Sequence, residues 1–240
     1  MQSSWRGTVG VIKPTMRPGS LEEFIRMMPE GVGIIPTFLN IREGTTSEFQ
    51  SVMVAVEERV AELARLGVDL IHPEGAPPFM LQGFDGERAL TDRWEADHKV
   101  PIVTAGQTQV EALRALGVQR FVGVTYFVGE LNDTFSSYFR GAGFDVLAME
   151  GIAVPFEDVG RLASTEVYAL ARRAFLQHPE AQAIYMLGSG WRVLDIIQPL
   201  EQDLGVPVVH AIPARVWAVQ RRLHLRQPVA GFGQLLERMP

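Results

Sequence analysis

Residues 100–116, VPIVTAGQTQVEALRAL, align without a gap against residues 206–222, VPVVHAIPARVWAVQRR. Val100, Pro101, Val103, Ala105, Val110 and Ala112 stand opposite Val206, Pro207, Val209, Ala211, Val216 and Ala218. Upstream of each segment is a comparable strand ending in a loop glycine: VDLIHPEG (68–75) before the first, AIYMLGSG (183–190) before the second. Strand–helix units share composition by physics alone. Here order, spacing and loop glycine coincide as well, which points to a chain of two similar halves joined near 116–120. A parallel α/β half presents its ligand-binding loops at the carboxyl ends of its strands. Two such halves facing each other would enclose a cleft between the loops at 72–79 and 186–191.

The rest of the chain agrees with that pattern. VGVIKP (9–14), GVGIIPTF (31–38), VDLIHP (68–73), VPIVTA (100–105), RFVGVTYF (120–127), AIYMLG (183–188) and VPVVHA (206–211) read as strands. They are short, rich in Val and Ile and mostly without polar alternation, as expected for strands covered on both faces. Between them lie helical patterns. Residues 47–66 place Phe49, Val52, Met53, Val56, Val60 and Leu63 at helical spacing, with Ser47 as the expected N-cap and Gly67 as the stop. Alternating strand and helix implies an α/β fold with parallel sheet. The expected division is residues 1–116 plus about 213–240 for the N-terminal half and 117–212 for the C-terminal half.

Composition excludes several functions. The 240 residues are 47% hydrophobic and 21% charged, which is ordinary for a globular protein, and the net charge of −6 argues against nucleic-acid binding. No apolar run approaches the length of a membrane span, and the start, MQSSWRGTVGVIKP, lacks the features of a signal peptide. A soluble cytoplasmic protein with a small-molecule partner is therefore expected; whether it forms a homo-oligomer is open. The chain has no cysteine, so disulfides and thiolate catalysis are excluded. There is no phosphate loop, dinucleotide fingerprint or nucleophile elbow.

The chemistry-bearing candidates sit at strand ends. His72 and Glu74, two apart, share a face of an extended strand and could work as an acid–base pair. The plainer alternative is a hydrogen-bonded strand histidine and a salt-bridged loop glutamate. Spacing places no third metal ligand, so no metal is expected. Lys13 ends the first strand, where a cation suits a carboxylate or developing negative charge; a strand-end lysine that snorkels to water is the alternative. His210 ends the last strand and corresponds to Thr104. Tyr126, Phe127 and Trp191 are either core or substrate wall, and Gly-Ser-Gly at 188–190 is a loop suited to an anion.

GSGWRVLDII (188–197), EQDLGVPVVHAIPARVW (201–217) and GFGQLLE (231–237), together with VGVIKP, TYFVGELN (125–132) and ALRALGVQRFVGVT (112–125), resemble one family over essentially the full chain. It is the arylmalonate decarboxylase and maleate isomerase group of the aspartate/glutamate racemase superfamily. The resemblance implies two Rossmann-like parallel-sheet halves with pseudo-twofold symmetry, the active site between them, and no metal or organic cofactor. It also implies chemistry at two mirror-related positions. Racemases have cysteine at both. Maleate isomerases also use two, one of which adds to the double bond. Arylmalonate decarboxylases keep only the second, which protonates an enediolate. Here these positions fall on Gly75 and Gly188. Ala76 and Pro77 stand where hydroxyl residues commonly hold a carboxylate, and Phe127 stands where a tyrosine is expected, with Tyr126 one place earlier. Pro14, Asn132 and the small residues of 188–190 remain.

The resulting expectation is a cofactor-independent, decarboxylase-like lyase acting on a small carboxylate or dicarboxylate through an enolate-like intermediate. Its acid–base residues would be Glu74, His72 and Lys13. Substrate contacts would come from Pro14, Thr15, Gly75, Ala76, Tyr126, Phe127, Asn132, Gly188, Ser189, Gly190 and His210. The alternatives are a cis–trans isomerase or hydrolase on a related acid, or a non-catalytic binding relative.

Overall fold

A parallel strand covered on both faces must be apolar along its length, and the strand Gly7–Lys13 (β1) is buried throughout its last five residues. The computed structural model describes residues 4–240; the first three residues of the N-terminal stretch read above lie outside it. After β1 come α1 (Ser20–Met27), β2 (Val32–Phe38), α2 (Thr46–Ser51), α3 (Met53–Arg65), β3 (Leu70–Pro73), α4 (Ala76–Met80), α5 (Gly83–His98) and α6 (Ala105–Ala115). A turn at Gly117, in the left-handed region, then leads into β4 (Arg120–Thr125). There follow α7 (Glu130–Gly141), β5 (Asp145–Gly151), a 3-10 turn at Phe156–Arg161, α8 (Ser164–Gln177), β6 (Ile184–Met186), α9 (Leu194–Leu204), β7 (Val208–His210), α10 (Ala211–Arg222) and α11 (Gln234–Arg238).

Two parallel sheets result, ordered β2-β1-β3 and β5-β4-β6-β7. Ile102 makes a parallel bridge to Ile71, in the place that β7 takes beside β6. The two halves thus share one strand order, which is the duplication expected from the aligned segments. The expected strand 100–105 is reduced to that bridge, because Thr104 already caps α6: its side chain accepts from the Gln107 N–H. His210, its counterpart, caps α10 by accepting from Ile212 N–H. The expected helix 47–66 breaks at Val52, and its N-cap is Thr45, not Ser47. The Glu48 carboxylate accepts from the N–H groups of Arg42, Glu43 and Gly44 and so fixes the entry turn.

The main core runs continuously through both halves, from Val9 and Val11 to Trp217 and Leu236. A smaller cluster lies on the outer face of the first sheet, where Ile12, Val60, Leu63, Ile71 and Trp94 meet. The duplicated helices α6 and α10 pack against each other, and α10 also packs on α1. Arg222 on α10 makes a bidentate pair with Glu111 on α6 at 2.7 and 3.0 Å. Past α10 the chain turns back to the second half, where Gln234 N–H donates to Glu201. Among the described residues no helix is long and apolar enough to cross a membrane.

Candidate active site

The carboxyl ends of β1, β3, β4 and β6 converge on a cavity of about 780 Å³, mouth included, and the start of α10 closes it. The two loops expected to face each other are joined directly: Ser189 Oγ donates to Glu74 Oε1 at 2.7 Å. Lys13, Pro14, Thr15, His72, Glu74, Gly75, Ala76, Tyr126, Phe127, Gly188, Ser189 and Gly190 all line the cavity. Asn132 and His210, expected among the substrate contacts, do not. Asn132 accepts from the Thr125 hydroxyl at 2.7 Å and donates to the Met149 carbonyl, tying β4 to α7 and β5. His210 is fully buried in its capping role, and burial holds it neutral with a pKa of about 3.

The residues that do line the cavity are tightly engaged. The Lys13 ammonium is almost fully buried and donates to the Thr15 carbonyl (2.9 Å), the Thr15 hydroxyl (3.3 Å) and the Arg17 carbonyl. Its three hydrogens thus shape the loop after β1, and burial lowers its pKa. His72 bonds through Nδ1 to the Val103 carbonyl at 2.7 Å. Burial, with Arg215 nearby, pushes its pKa down to about 3, so the ring is neutral and Nδ1–H is the donor. Burial alone would raise the Glu74 carboxyl; the Arg215 guanidinium outweighs it, with the Ser189 hydroxyl and Lys13 adding to the effect, and holds Glu74 below the usual carboxylate range.

Arg215 is the principal residue the sequence reading missed. It is 2% exposed, and its Nη1 lies 2.7 Å from Glu74 Oε2. Nη2 donates to the Ser20 carbonyl at 3.0 Å, and the guanidinium sits 4.2 Å over the Phe24 ring. The contact with Glu74 is close in charge but poorly aligned, so Nη1, Nε and Glu74 Oε2 all lack a hydrogen bond. The alignment carried the signal, since Arg215 stands opposite Gln109 and both line the cavity. Gln109 reaches the other way and accepts from the Tyr185 hydroxyl in β6. Arg17 was missed too; its guanidinium lies 4.3 Å over the Phe156 ring and donates to that residue's carbonyl at 2.5 Å.

Three cations therefore face one carboxylate in the cleft, and His72 is uncharged. An aromatic group lines the same cavity: Phe127 lies 6.0 Å from Phe49 and 6.0 Å from Phe156, the ring on which Arg17 stacks. Pro77 and Pro78, in the first turn of α4 just after the first loop, have no N–H to offer an anion. In the second loop Gly188 has φ of +95°, and a Cβ there would meet the Tyr126 hydroxyl oxygen at 2.2 Å. Among the described residues no group of three or more His, Asp or Glu is placed to hold a metal.

The chain is 24% identical over 239 residues to the arylmalonate decarboxylase of Bordetella bronchiseptica, covering 99% of both proteins. It is 30% identical over 128 residues to the maleate isomerase of Nocardia farcinica, covering 53% of this chain and 51% of that protein. These relatives are enzymes. Among solved structures, the maleate isomerase Iso from Pseudomonas putida S16 superposes with a TM-score of 0.90 at 20% identity, over 98% of this chain and 99% of that one. A crystal structure of arylmalonate decarboxylase gives 0.84 at 22%, over 96% and 99%. The family model described as arylmalonate decarboxylase matches residues 9–236. Fold, cleft and sequence agree: the chain belongs to the arylmalonate decarboxylase family.

Proposed function

We propose that the protein is a decarboxylase-like lyase that acts on a small carboxylate or dicarboxylate through an enolate-like intermediate, without an organic cofactor. The observation that carries this reading is the polarity of the cleft. The Arg215 guanidinium, with Nε free of a hydrogen bond and Nη1 beside Glu74 Oε2, lines the same cavity as the rings of Phe49 and Phe127. A retained carboxylate pairs with the guanidinium, whose planar fork suits it. A second carboxylate set against the Phe49 and Phe127 rings is poorly solvated, and its loss as CO₂ removes a badly placed charge. The electron pair left behind is delocalised into the retained carboxylate, where Arg215 stabilises the growing charge.

Glu74, His72 and Lys13 fit this reading as organisers of the cleft. Glu74 and Ser189 orient Arg215, Lys13 holds the 15–17 loop, and neutral His72 adds no charge to repel or attract the substrate. A non-catalytic binding protein is the second reading, and the engagement of His72 and Lys13 with main-chain carbonyls favours it. Maleate-type isomerisation follows from the relatives alone and has no cysteine here to perform it.

The test is CO₂ release from a panel of malonates bearing aryl, alkyl and hydroxyl substituents. The expected outcome is saturable turnover, best with an aryl substituent that packs against the Phe49 and Phe127 rings. Saturable binding of the same compounds without CO₂ release would favour the second reading.

A further inference from the structure

We propose that the Tyr126 hydroxyl is the proton donor of this cleft, delivering its proton to the reacting carbon from the side of the second loop. This rests on the lyase reading above. The carrying observation is steric. A Cβ on Gly188 would lie 2.2 Å from Tyr126 Oη and 2.5 Å from Cε1 and Cζ, so the phenol occupies the space into which a side chain at 188 would project. Position 188 can thus carry no reactive group while Tyr126 is in place, and the phenol presents one there instead.

The other acids lining the cleft have their protons engaged elsewhere. Lys13 gives its hydrogens to the 15–17 loop, His72 gives its Nδ1–H to Val103, and Ser189 gives its proton to Glu74. Glu74 is ionised, and a guanidinium does not release a proton. Thr15 and Ser20 also line the cavity, but alkyl hydroxyls are far weaker acids than a phenol. Tyr126 differs from all of these. Its ring is held edge-on to Trp191 at 5.1 Å and tilted on Phe127 at 4.8 Å, so the hydroxyl is fixed in place. Burial raises its pKa to about 12 and keeps it protonated at rest. The Gly190 N–H acts on the phenol oxygen as a donor, and Arg17 adds positive charge. Both stabilise the phenolate as it forms, and neither takes up the hydroxyl hydrogen.

The C–C bond to the departing carboxylate breaks, CO₂ leaves, and the electron pair stays on the substrate as an enediolate. That pair forms a C–H bond with the Tyr126 proton as the O–H bond breaks, leaving the phenolate. Solvent then returns a proton to Tyr126. No oxidant or reductant is required.

The experiment compares wild type with Tyr126→Phe on a malonate carrying one aryl and one methyl group, whose product is chiral. Wild type is expected to give one enantiomer. Tyr126→Phe keeps the ring packing, and is expected to hold KM within about threefold while kcat falls by about 100-fold or more, the usual contribution of a general acid. Its residual product is expected to be racemic, because water then protonates without facial control. Should Tyr126→Phe fold poorly, 3-fluorotyrosine at 126 is the second measurement; the alkaline limb of its kcat–pH profile should move toward lower pH. Wild-type turnover that Tyr126→Phe retains, with unchanged enantiomeric excess, overturns this proposal and leaves the lyase reading standing. No turnover by wild type on any malonate overturns both.

Discussion

Arg215 shows how much one side chain can decide here and how well it was concealed. In sequence it is a basic residue on a helix, and most such residues point to solvent. Ala211–Arg222 is buried on almost every face, so this one turns inward to Glu74. Lys13, His72, Glu74 and Ser189 were legible as cleft residues because strand ends in a parallel α/β half point to one place. Their engagements were not, because Val103 lies 31 residues from His72, Ser189 lies 115 residues from Glu74, and Arg17 belongs to a loop without periodicity. Removing one partner of a buried ion pair leaves an uncompensated charge and typically costs about 3–5 kcal/mol. Arg215→Ala should lose stability on that scale in urea denaturation at pH 7. The double replacement Glu74→Gln with Arg215→Met should recover most of it, while binding of a carboxylate is lost in both.

At the scale of elements, the sequence read well wherever a strand is buried on both faces. It missed β5, DVLAMEG, because Asp145 and Glu150 interrupt the apolar run, and an edge strand tolerates them. It overextended 100–105 because Val100, Ile102 and Val103 are buried without making a ladder. Helix α5 carries a group with no counterpart in the sequence reading. Glu87 is fully buried and accepts from the Thr104 hydroxyl at 2.6 Å and from Tyr138. Burial, only partly offset by these bonds, pushes its pKa up to about 7 from 4.5.

Between those values folded Glu87 holds a proton that the unfolded chain has released. Its contribution to stability is therefore complete below pH 4.5 and lost as pH rises through 7, on the order of 3 kcal/mol. His72 and His210, with pKa lowered to about 3, act in the opposite sense and destabilise the fold as pH falls below 6.5. The difference in unfolding free energy between Glu87→Gln and wild type isolates the carboxyl. It should shift in favour of the variant as pH rises from 5 to 8; a difference independent of pH would contradict the assignment.

For the whole molecule, the duplication seen in 100–116 and 206–222 set the architecture, and both sheets repeat one strand order. The repeat also explains how the cleft is built. The paired helices α6 and α10 each send one side chain into it, Gln109 toward β6 and Arg215 toward β3, so each reaches a sheet at the opposite side of the repeat. The repeat has diverged in chemistry, with one mate neutral and the other cationic, so the paired helices give the cleft a single guanidinium. That asymmetry is what a substrate with one retained and one departing carboxylate needs.

The measurement that tests this account most directly is proton NMR in D₂O of wild-type protein with an aryl-substituted malonate. The account predicts loss of the malonate with a single deuterium at the α-carbon of the monoacid, and no such product with Arg215→Ala. Line broadening of the malonate without consumption, or deuterium-free product, would contradict a carbanion pathway in this cleft.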